Sequence, residues 1–590
     1  MKMRRTVAAS HPGGNPAPED PPGRRRAALY VAAALIGVLA IQYAGSVTLP
    51  FTNDDYLIFG KLHSASLITL WIPRDLLSGF WRPWSRELHF WVLSHLFGPS
   101  PPAFHLVSFI LWLTAMGLFF SLLRRLVGTA TAALATLLAA TQAAWGVLLV
   151  WAAGAQDLWM ICAGLAFLLA LMNRRATTAA LALGIALLSK ETAATLPVIG
   201  MGYLLIVERE SFMNAARRTW PLWAILGAWA LIHPMLGGRL FQAAPAKSAQ
   251  PLVAGMPPIL ATLLELVNLD LSPQPEGGWW EVVRFGILPA ILLAAAAALG
   301  SRRATLTPPD GSGGGGHSPS SRRVVVWAAT WAVLGWLPFL VPGPGWHAYY
   351  CLWGAFGGWM LIGTLLRGRM QLAIMMVLAL ALLRPARTRT PQFDLGSEWY
   401  HRRAAALTNT IRNGLLSHHP SLSAHSRIYL DQMPGGVGLV ASPGYSPALQ
   451  TWYRDNSLQG YFYSQYSPRA EGDSLGGDYF FRFDSLGRPT EIIKGPEDLS
   501  RARTQGWRQL HGELATLMFL KRDPLGAVGE LEKMVAVFPD DPYLLYSLGV
   551  CYEFVGKQSE ADDVYQRAAR LPGAGEAMHQ QARADWLGRL

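Results

Sequence analysis

Charged residues and cysteines are scarce in this chain of 590 residues. Only 15% of the residues are charged and three are cysteine, whereas 51% are hydrophobic. Soluble proteins usually carry about 25% charged residues, so the composition argues against a soluble nucleic-acid-binding protein and against disorder over most of the chain. Cys162, Cys351 and Cys551 lie far apart in the sequence, which excludes a disulfide framework and a structural zinc site. A chain that is both basic and apolar indicates a membrane protein.

Eleven long apolar runs predict membrane crossings. The first, 27–47, follows an Arg-, Gly- and Pro-rich segment, 1–26, that we predict to be a disordered cytoplasmic tail. This run is about twenty residues long and no cleavage site is evident, so we interpret it as an uncleaved membrane helix and not a signal peptide. The other runs lie near 103–123, 127–150, 156–172, 176–189, 192–207, 220–236, 282–300, 324–341, 347–366 and 370–384.

Arginine and lysine are concentrated on one side of these crossings. The N-terminal tail and every second loop together have a net charge of +14, the rest of 27–390 has +1, and 391–590 has −3. Because positively charged loops stay in the cytoplasm, the distribution predicts a cytoplasmic N-terminus and an extracytoplasmic C-terminal region. The net charge of +12 therefore indicates the topology of a bacterial inner-membrane protein, with no nucleic acid as a partner.

Two further regions follow the predicted membrane body, 27–390. Residues 391–507 contain short β-prone runs between turn residues, which predicts an extracytoplasmic α/β segment. From 508 to 590 small and apolar residues recur with a period of 34, which predicts helical repeats of the tetratricopeptide type. The repeat is carried by Ala515, Ala527, Leu531 and Pro539, which recur as Gly549, Ala561, Tyr565 and, one residue short, Pro572.

An acidic pair opens the first outer loop, which covers 49–102. Asp54 and Asp55 follow the first predicted crossing almost directly. Neighbouring carboxylates raise the pKa of one of them, and such a pair suits a general base with a neighbour that orients it or helps to hold a cation. The alternative is an exposed acidic turn or the start of a helix, since Asn-Asp begins helices well.

Four charged residues, three of them cations and one a carboxylate, are further candidates for the functional site. Arg82 and Arg86 are one helical turn apart and could present two guanidinium groups to a phosphate. Lys190 and Glu191 separate two apolar runs that are too short to cross a membrane fully, which places both at membrane depth. There they either face a wet cavity or pair with each other at a tight hairpin.

The loop before the tenth predicted crossing contains His347 and Tyr349. Either side chain can contact a ligand, but tyrosine also anchors membrane interfaces and a single histidine can be structural. Under the predicted topology both lie on the same outer face as the acidic pair and the four charged residues. This convergence favours one functional site.

Four blocks of this sequence resemble the GT-C superfamily of membrane glycosyltransferases, which includes protein O-mannosyltransferases, the aminoarabinose transferase of lipid A and mannosyltransferases bearing tetratricopeptide repeats. The resemblance implies a mainly α, polytopic helical bundle of GT-C type, a polyprenyl- or dolichyl-phosphate sugar donor and an acceptor on the outer face. It also implies a catalytic acidic residue at Asp54. The blocks are Asp54-Asp55, Arg82-Pro83 with Gly98 to His105, Leu187 to Thr192, and His347 to Tyr350.

Transfer of a sugar from a lipid phosphate requires a base for the acceptor and positive charge for the departing phosphate. We predict that Asp54 is the base and that Asp55 orients it or helps to hold Mg²⁺ or Mn²⁺, with inversion at the anomeric carbon. The residues predicted for the donor phosphate are Arg82, Arg86 and Lys190, and those for substrate contacts are Glu191, His347 and Tyr349.

Two other functions fit part of the sequence. A flippase or transporter for a lipid-linked sugar would also place charged residues at membrane depth, but no interrupted helices recur in two matching halves. A non-catalytic membrane scaffold would present the C-terminal repeats to a protein partner. The acceptor of the predicted transfer, whether protein, lipid or glycan, does not follow from the sequence.

Overall fold

The structure is a computed structural model and the chain divides into two compact units. The first unit is Met1–Leu49 with Leu70–His401, and the second unit is Pro50–Thr69 with Arg402–Leu590. The described residues are 22–72, 80–234, 258–269, 279–304, 320–340, 347–384, 397–434, 438–462, 465, 477–492, 508–520 apart from 510, 514 and 517, and 523–587.

Helices make up the described part of the first unit. Their packing surfaces are mostly Ala, Leu, Phe and Trp, and several tryptophans, Trp112, Trp145 and Trp353 among them, are almost fully buried in one apolar core. The α-helices are Pro22–Val38, His89–Phe97, Pro101–Val127, Thr129–Ala140, Trp145–Val150, Ala155–Met172, Ala176–Leu187, Leu196–Gly202, Phe212–Ile232, Pro258–Leu266, Trp279–Val282, Leu288–Ala304, Ser321–Leu340, Leu352–Leu365 and Met370–Leu383.

Within the described residues, three helical stretches are long and apolar enough to cross a membrane: Arg26–Ser46, Pro101–Val127 and Ala152–Met172. Five shorter apolar helices accompany them. The prediction of a mainly helical membrane protein is confirmed at this level. The eleven crossings, their orientation and the inner-membrane location stay predictions.

The apolar run 127–150 is not one continuous helix, as the sequence suggested, but two helices with a break at 141–144. The side chain of Asn268 occupies this break: its Nδ2 donates to Thr141 O at 2.8 Å, and its Oδ1 accepts from Ala143 N at 2.9 Å. The same Nδ2 donates to Leu380 O at 2.8 Å. Buried backbone groups must be paired, so Asn268 stabilises the break by replacing the lost helical hydrogen bonds.

A second break separates helices Ala176–Leu187 and Leu196–Gly202. Lys190 is extended there, with φ −163° and ψ 146°, and a 3₁₀ turn follows over Glu191–Thr195. Pro197 lies in the first turn of the next helix, where its missing N–H costs no hydrogen bond. The two short helices predicted to meet at a charged turn are therefore present.

The second unit contains a four-stranded sheet of strands β1 Arg427–Asp431, β2 Gln459–Phe462, β3 Asp478–Phe483 and β4 Pro489–Glu491. Their order in the sheet is β2-β1-β3-β4. Strand β1 pairs in parallel with β2 and β3, and β3 pairs antiparallel with β4. The rings of Tyr461, Tyr429 and Phe480 stack across β2, β1 and β3 with centroids 5.4 and 4.8 Å apart. The helices of this unit are Asp54–Leu62, Glu398–His418, Pro447–Tyr453, Pro524–Val537, Pro542–Phe554, Gln558–Ala569 and Glu576–Leu587.

The last four helices share a core that small residues make possible. Ala527 and Ala561, which are 34 residues apart, are both fully buried. A Cβ at Gly549 would lie 2.2 Å from a ring carbon of Tyr565, so the helices Pro542–Phe554 and Gln558–Ala569 approach each other through this glycine. The spacing is that of the predicted repeat; its assignment as a tetratricopeptide repeat stays a prediction.

Replacing Gly549 by Ala is expected to destabilise the C-terminal helices by about 1–3 kcal/mol, because the new methyl group overlaps the ring of Tyr565. Gly529→Ala is the matched control: a Cβ there meets nothing within 4 Å, and alanine stabilises a helix relative to glycine. Hydrogen exchange of the full-length protein over 524–587 measures both effects. Equal protection in the two variants would contradict this account of the packing.

Candidate active site

Four charged side chains of the first unit form what we call the ion-pair cluster: Arg82, Asp157, Lys190 and Glu191. Arg82 Nε donates to both carboxylate oxygens of Glu191 at 3.0 Å, and Arg82 Nη2 donates to Glu191 Oε2 at 2.5 Å. Lys190 Nζ donates to both oxygens of Asp157 at 2.5 Å. Gln156 Oε1 accepts from Arg82 Nη1 at 2.9 Å and so connects the two pairs along one helix.

The two pairs differ in depth. The side chains of Lys190 and Asp157 are 6% and 10% exposed, whereas those of Arg82 and Glu191 are 15% and 27% exposed. Buried charges persist only when they are paired, and the two cations and two carboxylates of this cluster cancel. The Arg82–Glu191 pair is therefore the more accessible face of an electroneutral cluster.

Two tyrosines enclose Lys190. Its Nζ lies 4.9 Å from the ring centroid of Tyr349 and 5.0 Å from that of Tyr350, at the distance of cation–π contacts. The ring of His347 is nearly parallel to that of Tyr349, at 5.8 Å. The structure therefore places Tyr349 beside Lys190 and His347 beside Tyr349, and the role of both in substrate contacts stays a prediction.

Short hydrogen bonds hold the segment of Arg82 against the helix break that carries Lys190. Trp84 N donates to Leu188 O at 3.1 Å, and Ser85 Oγ donates to Ser189 O at 2.8 Å. Arg82 directly precedes a π-helix over Pro83–Leu88, and its side chain points back to Glu191. Segments more than a hundred residues apart in sequence thus place the two partners opposite each other.

The partners of Arg86 differ from those of Arg82. Its Nη2 donates to Phe80 O at 2.8 Å and its Nε donates to Glu87 Oε1 at 2.8 Å, and both charged side chains of this pair are buried. Arg82 and Arg86 therefore do not present two guanidinium groups side by side: Arg82 is paired with Glu191, and Arg86 is paired with Glu87. The π-helix between them changes the spacing from that of an α-helical turn.

Sequence reasoning missed three residues of this region: Gln156, Asp157 and His233. Asp157 lies in the first turn of helix Ala155–Met172 and is its only charged residue, and this isolated carboxylate in a mainly apolar helix was the available signal. His233 Nε2 lies 3.5 Å from Glu191 Oε1, and its ring packs against that of Trp229 with centroids 4.8 Å apart. No pattern in the sequence connects His233 with Glu191.

The acidic pair lies in the second unit, at the start of helix Asp54–Leu62. Asp55 is buried: its Oδ2 accepts from Thr52 N at 2.9 Å, and its own N–H donates to Thr52 O at 3.0 Å. These two hydrogen bonds hold the first turn of the helix against Thr52. Asp54 is exposed, so the two carboxylates have different environments, one structural and one accessible.

Within the described ranges, no group of three or more His, Cys, Asp and Glu side chains is placed to hold a metal ion. The cation predicted at Asp54 and Asp55, Mg²⁺ or Mn²⁺, would require about six oxygen ligands. Asp55 Oδ2 already accepts from Thr52 N, and a cation at this pair stays a prediction.

The fold and the ion-pair cluster define a helical membrane protein with a buried polar site. Residues 86–237 match the family described as dolichyl-phosphate-mannose-protein mannosyltransferase. This match confirms the resemblance to the GT-C superfamily of glycosyltransferases. The matched segment contains Asp157, Lys190 and Glu191 of the cluster.

Two solved structures are similar to the chain. The crystal structure of ArnT from Cupriavidus metallidurans bound to undecaprenyl phosphate is 15% identical, with 74% of this chain and 86% of that chain covered and a TM-score of 0.37. The crystal structure of the Archaeoglobus fulgidus oligosaccharyltransferase in complex with Zn and sulfate is 12% identical, with 78% and 72% covered and a TM-score of 0.36. No curated protein sequence matches the chain.

Proposed function

We propose that this protein is a glycosyltransferase that moves a sugar from a polyprenyl-phosphate-linked donor to an acceptor on the outer face of the cytoplasmic membrane. The observation that carries the proposal is that the family match and most of the ion-pair cluster fall in the same segment of the chain. The segment that matches the mannosyltransferase family, 86–237, is also the segment that contributes Asp157, Lys190 and Glu191 to the ion-pair cluster. The family's description, with dolichyl-phosphate mannose as donor, supports a lipid-phosphate donor.

Arg82 is the residue best suited to the donor phosphate in this proposal. A guanidinium group has five N–H donors, so Arg82 can donate to a phosphate while Glu191 and Gln156 hold it in place. Lys190 lies deeper and contributes positive charge behind it. Glu191, His347 and Tyr349 line the same region and complete the proposed substrate contacts.

Asp54 acts as the general base in the proposed reaction. It takes the proton of the acceptor hydroxyl or amine as that atom attacks the anomeric carbon. The bond from this carbon to the phosphate oxygen breaks, and the lipid phosphate leaves as an anion without needing an acid. A single displacement of this kind inverts the anomeric configuration.

The proposal is tested with the purified full-length protein in lipid nanodiscs, polyprenyl-phosphate mannose as donor and an envelope extract as acceptor. We expect release of polyprenyl phosphate and a mannosylated product of inverted configuration by NMR. A product that retains the configuration of the donor would contradict the single displacement. In sealed vesicles, movement of the donor lipid across the bilayer without its consumption would identify a transporter instead.

We also propose that 508–590 form tetratricopeptide-type repeats that hold a protein partner outside the cytoplasm. The support is the burial of equivalent residues 34 apart, Ala527 and Ala561, and the close approach of Gly549 to Tyr565. In the same proposal 27–390 are the catalytic membrane body and 391–507 the extracytoplasmic α/β segment.

A further inference from the structure

The residue before Asp54 has an unusual backbone conformation. Asn53 has φ 45° and ψ −113°, a region that residues with a side chain rarely adopt, and it immediately precedes helix Asp54–Leu62. A conformation of this kind is strained and persists only when its surroundings determine it. The direction of the Asp54 side chain therefore depends on the residues that hold the backbone of Asn53 in this conformation.

Gly438 lies directly against the backbone of Asn53. A Cβ at this glycine would be 2.8 Å from Asn53 O and 3.2 Å from Asn53 Cα. Gly438 itself has φ +63°, which glycine adopts without strain. No other residue type fits this contact without displacing Asn53.

Two aromatic residues hold the helix that begins at Asp54. Tyr445 Oη donates to Leu57 O at 3.3 Å, and it lies 2.0 Å from where a Cβ of Gly60 would be, so the glycine makes room for it. Trp452 Nε1 donates to Tyr56 Oη at 2.9 Å. The rings of Trp452 and Tyr56 meet edge to face with centroids 5.7 Å apart.

The contact with Tyr56 is buried. Burial raises the pKa of its phenol above the usual value, and its oxygen accepts the hydrogen bond from Trp452. Gly438, Tyr445 and Trp452 all belong to one stretch of the second unit, 438–453, which we call the support segment.

We propose that the support segment sets the conformation of Asp54, with Gly438, Tyr445 and Trp452 as positioning residues. They act through Asn53 and helix Asp54–Leu62, which they contact directly. The inference rests on the proposed function, in which Asp54 is the general base. It adds that the domain after the membrane body, and not the first outer loop alone, determines where this base points.

Gly438→Ala is the sharpest test. We expect kcat for transfer from polyprenyl-phosphate mannose to fall by about 10-fold or more, because small misplacements of a catalytic group cost up to about 100-fold. The KM for the donor should change by less than about 2-fold, since binding of the donor is not altered. Hydrogen exchange over 54–59 in the full-length protein should rise by about 10-fold or more.

Trp452→Phe provides a variant that keeps an aromatic ring and removes the N–H donor together with part of the indole. It should raise exchange at Tyr56 and lower kcat in the same direction as Gly438→Ala. Tyr552→Phe is the matched control: it removes a hydroxyl hydrogen bond of 2.7 Å to Glu532 in the same unit, outside the support segment and 50–69. It should leave exchange over 54–59 and kcat unchanged.

Exchange and activity distinguish the two proposals. Unchanged exchange over 54–59 in both Gly438→Ala and Trp452→Phe would overturn the role of the support segment. So would raised exchange with an unchanged kcat, provided that Asp54→Asn is inactive in the same assay. Full activity of Asp54→Asn would instead overturn the proposed base.

Discussion

Replacing Asp54 by Asn is expected to reduce kcat for sugar transfer by about 100- to 10,000-fold, the usual contribution of a general base. The substitution removes the basic carboxylate but hardly changes the size or shape of the side chain. Asp54 is exposed, so the substitution leaves no buried charge uncompensated. Initial rates of polyprenyl phosphate release measure the effect.

Glu576→Gln is the control for this substitution. Glu576 is also an exposed carboxylate in the first turn of a helix of the second unit. Its replacement should leave kcat unchanged and membrane abundance normal. A fully active Asp54→Asn protein would falsify the assignment of Asp54 as the base, whatever the identity of the sugar.

Replacing Lys190 by Met is expected to destabilise the first unit by about 3–5 kcal/mol, because the carboxylate of Asp157 is then buried without its cation. Adding Asp157→Leu to the same protein should restore most of the stability, since a buried ion pair contributes little more than apolar residues of similar volume. Hydrogen exchange over helix Ala155–Met172 measures the free energy of local opening in each variant.

An exposed ion pair serves as the control for the buried pair of Lys190 and Asp157. Arg482 and Asp431 lie 2.7 Å apart, and the Arg482 side chain is 52% exposed, so Asp431→Asn should cost less than about 1 kcal/mol. Equal losses at Lys190 and Asp431 would show that burial of the pair does not matter. The double variant should remain inactive even when stable, which separates the catalytic contribution of the cluster from its structural one.

The helices of the first unit follow largely from the sequence because apolar runs determine them. The break within 127–150 does not, since it is stabilised by Asn268, a side chain more than a hundred residues away. In the second unit, β1 and β3 coincide with β-prone runs at 426–430 and 479–483. Their parallel pairing depends on the register of distant strands and was not predictable.

In the candidate site, too, single residues could be predicted from the local sequence, whereas their partners from distant segments could not. Lys190 and Glu191 stood out because ionisable residues are rare among apolar runs. Their partners did not: the pairing of the two with each other was one possibility, whereas the structure pairs Lys190 with Asp157 and Glu191 with Arg82. His233 reaches Glu191 only through the folding of helix Phe212–Ile232.

The balance of charge in the ion-pair cluster has a consequence for turnover under the proposed function. A polyprenyl-phosphate sugar is a diester of charge −1, whereas the released monoester carries about −1.5 to −2 at neutral pH. Because Arg82 and Lys190 are already neutralised by Glu191 and Asp157, the cluster offers little excess positive charge to hold the second negative charge of the product. The spent lipid is therefore bound less favourably than a fully cationic site would bind it, and its departure is favoured after each transfer.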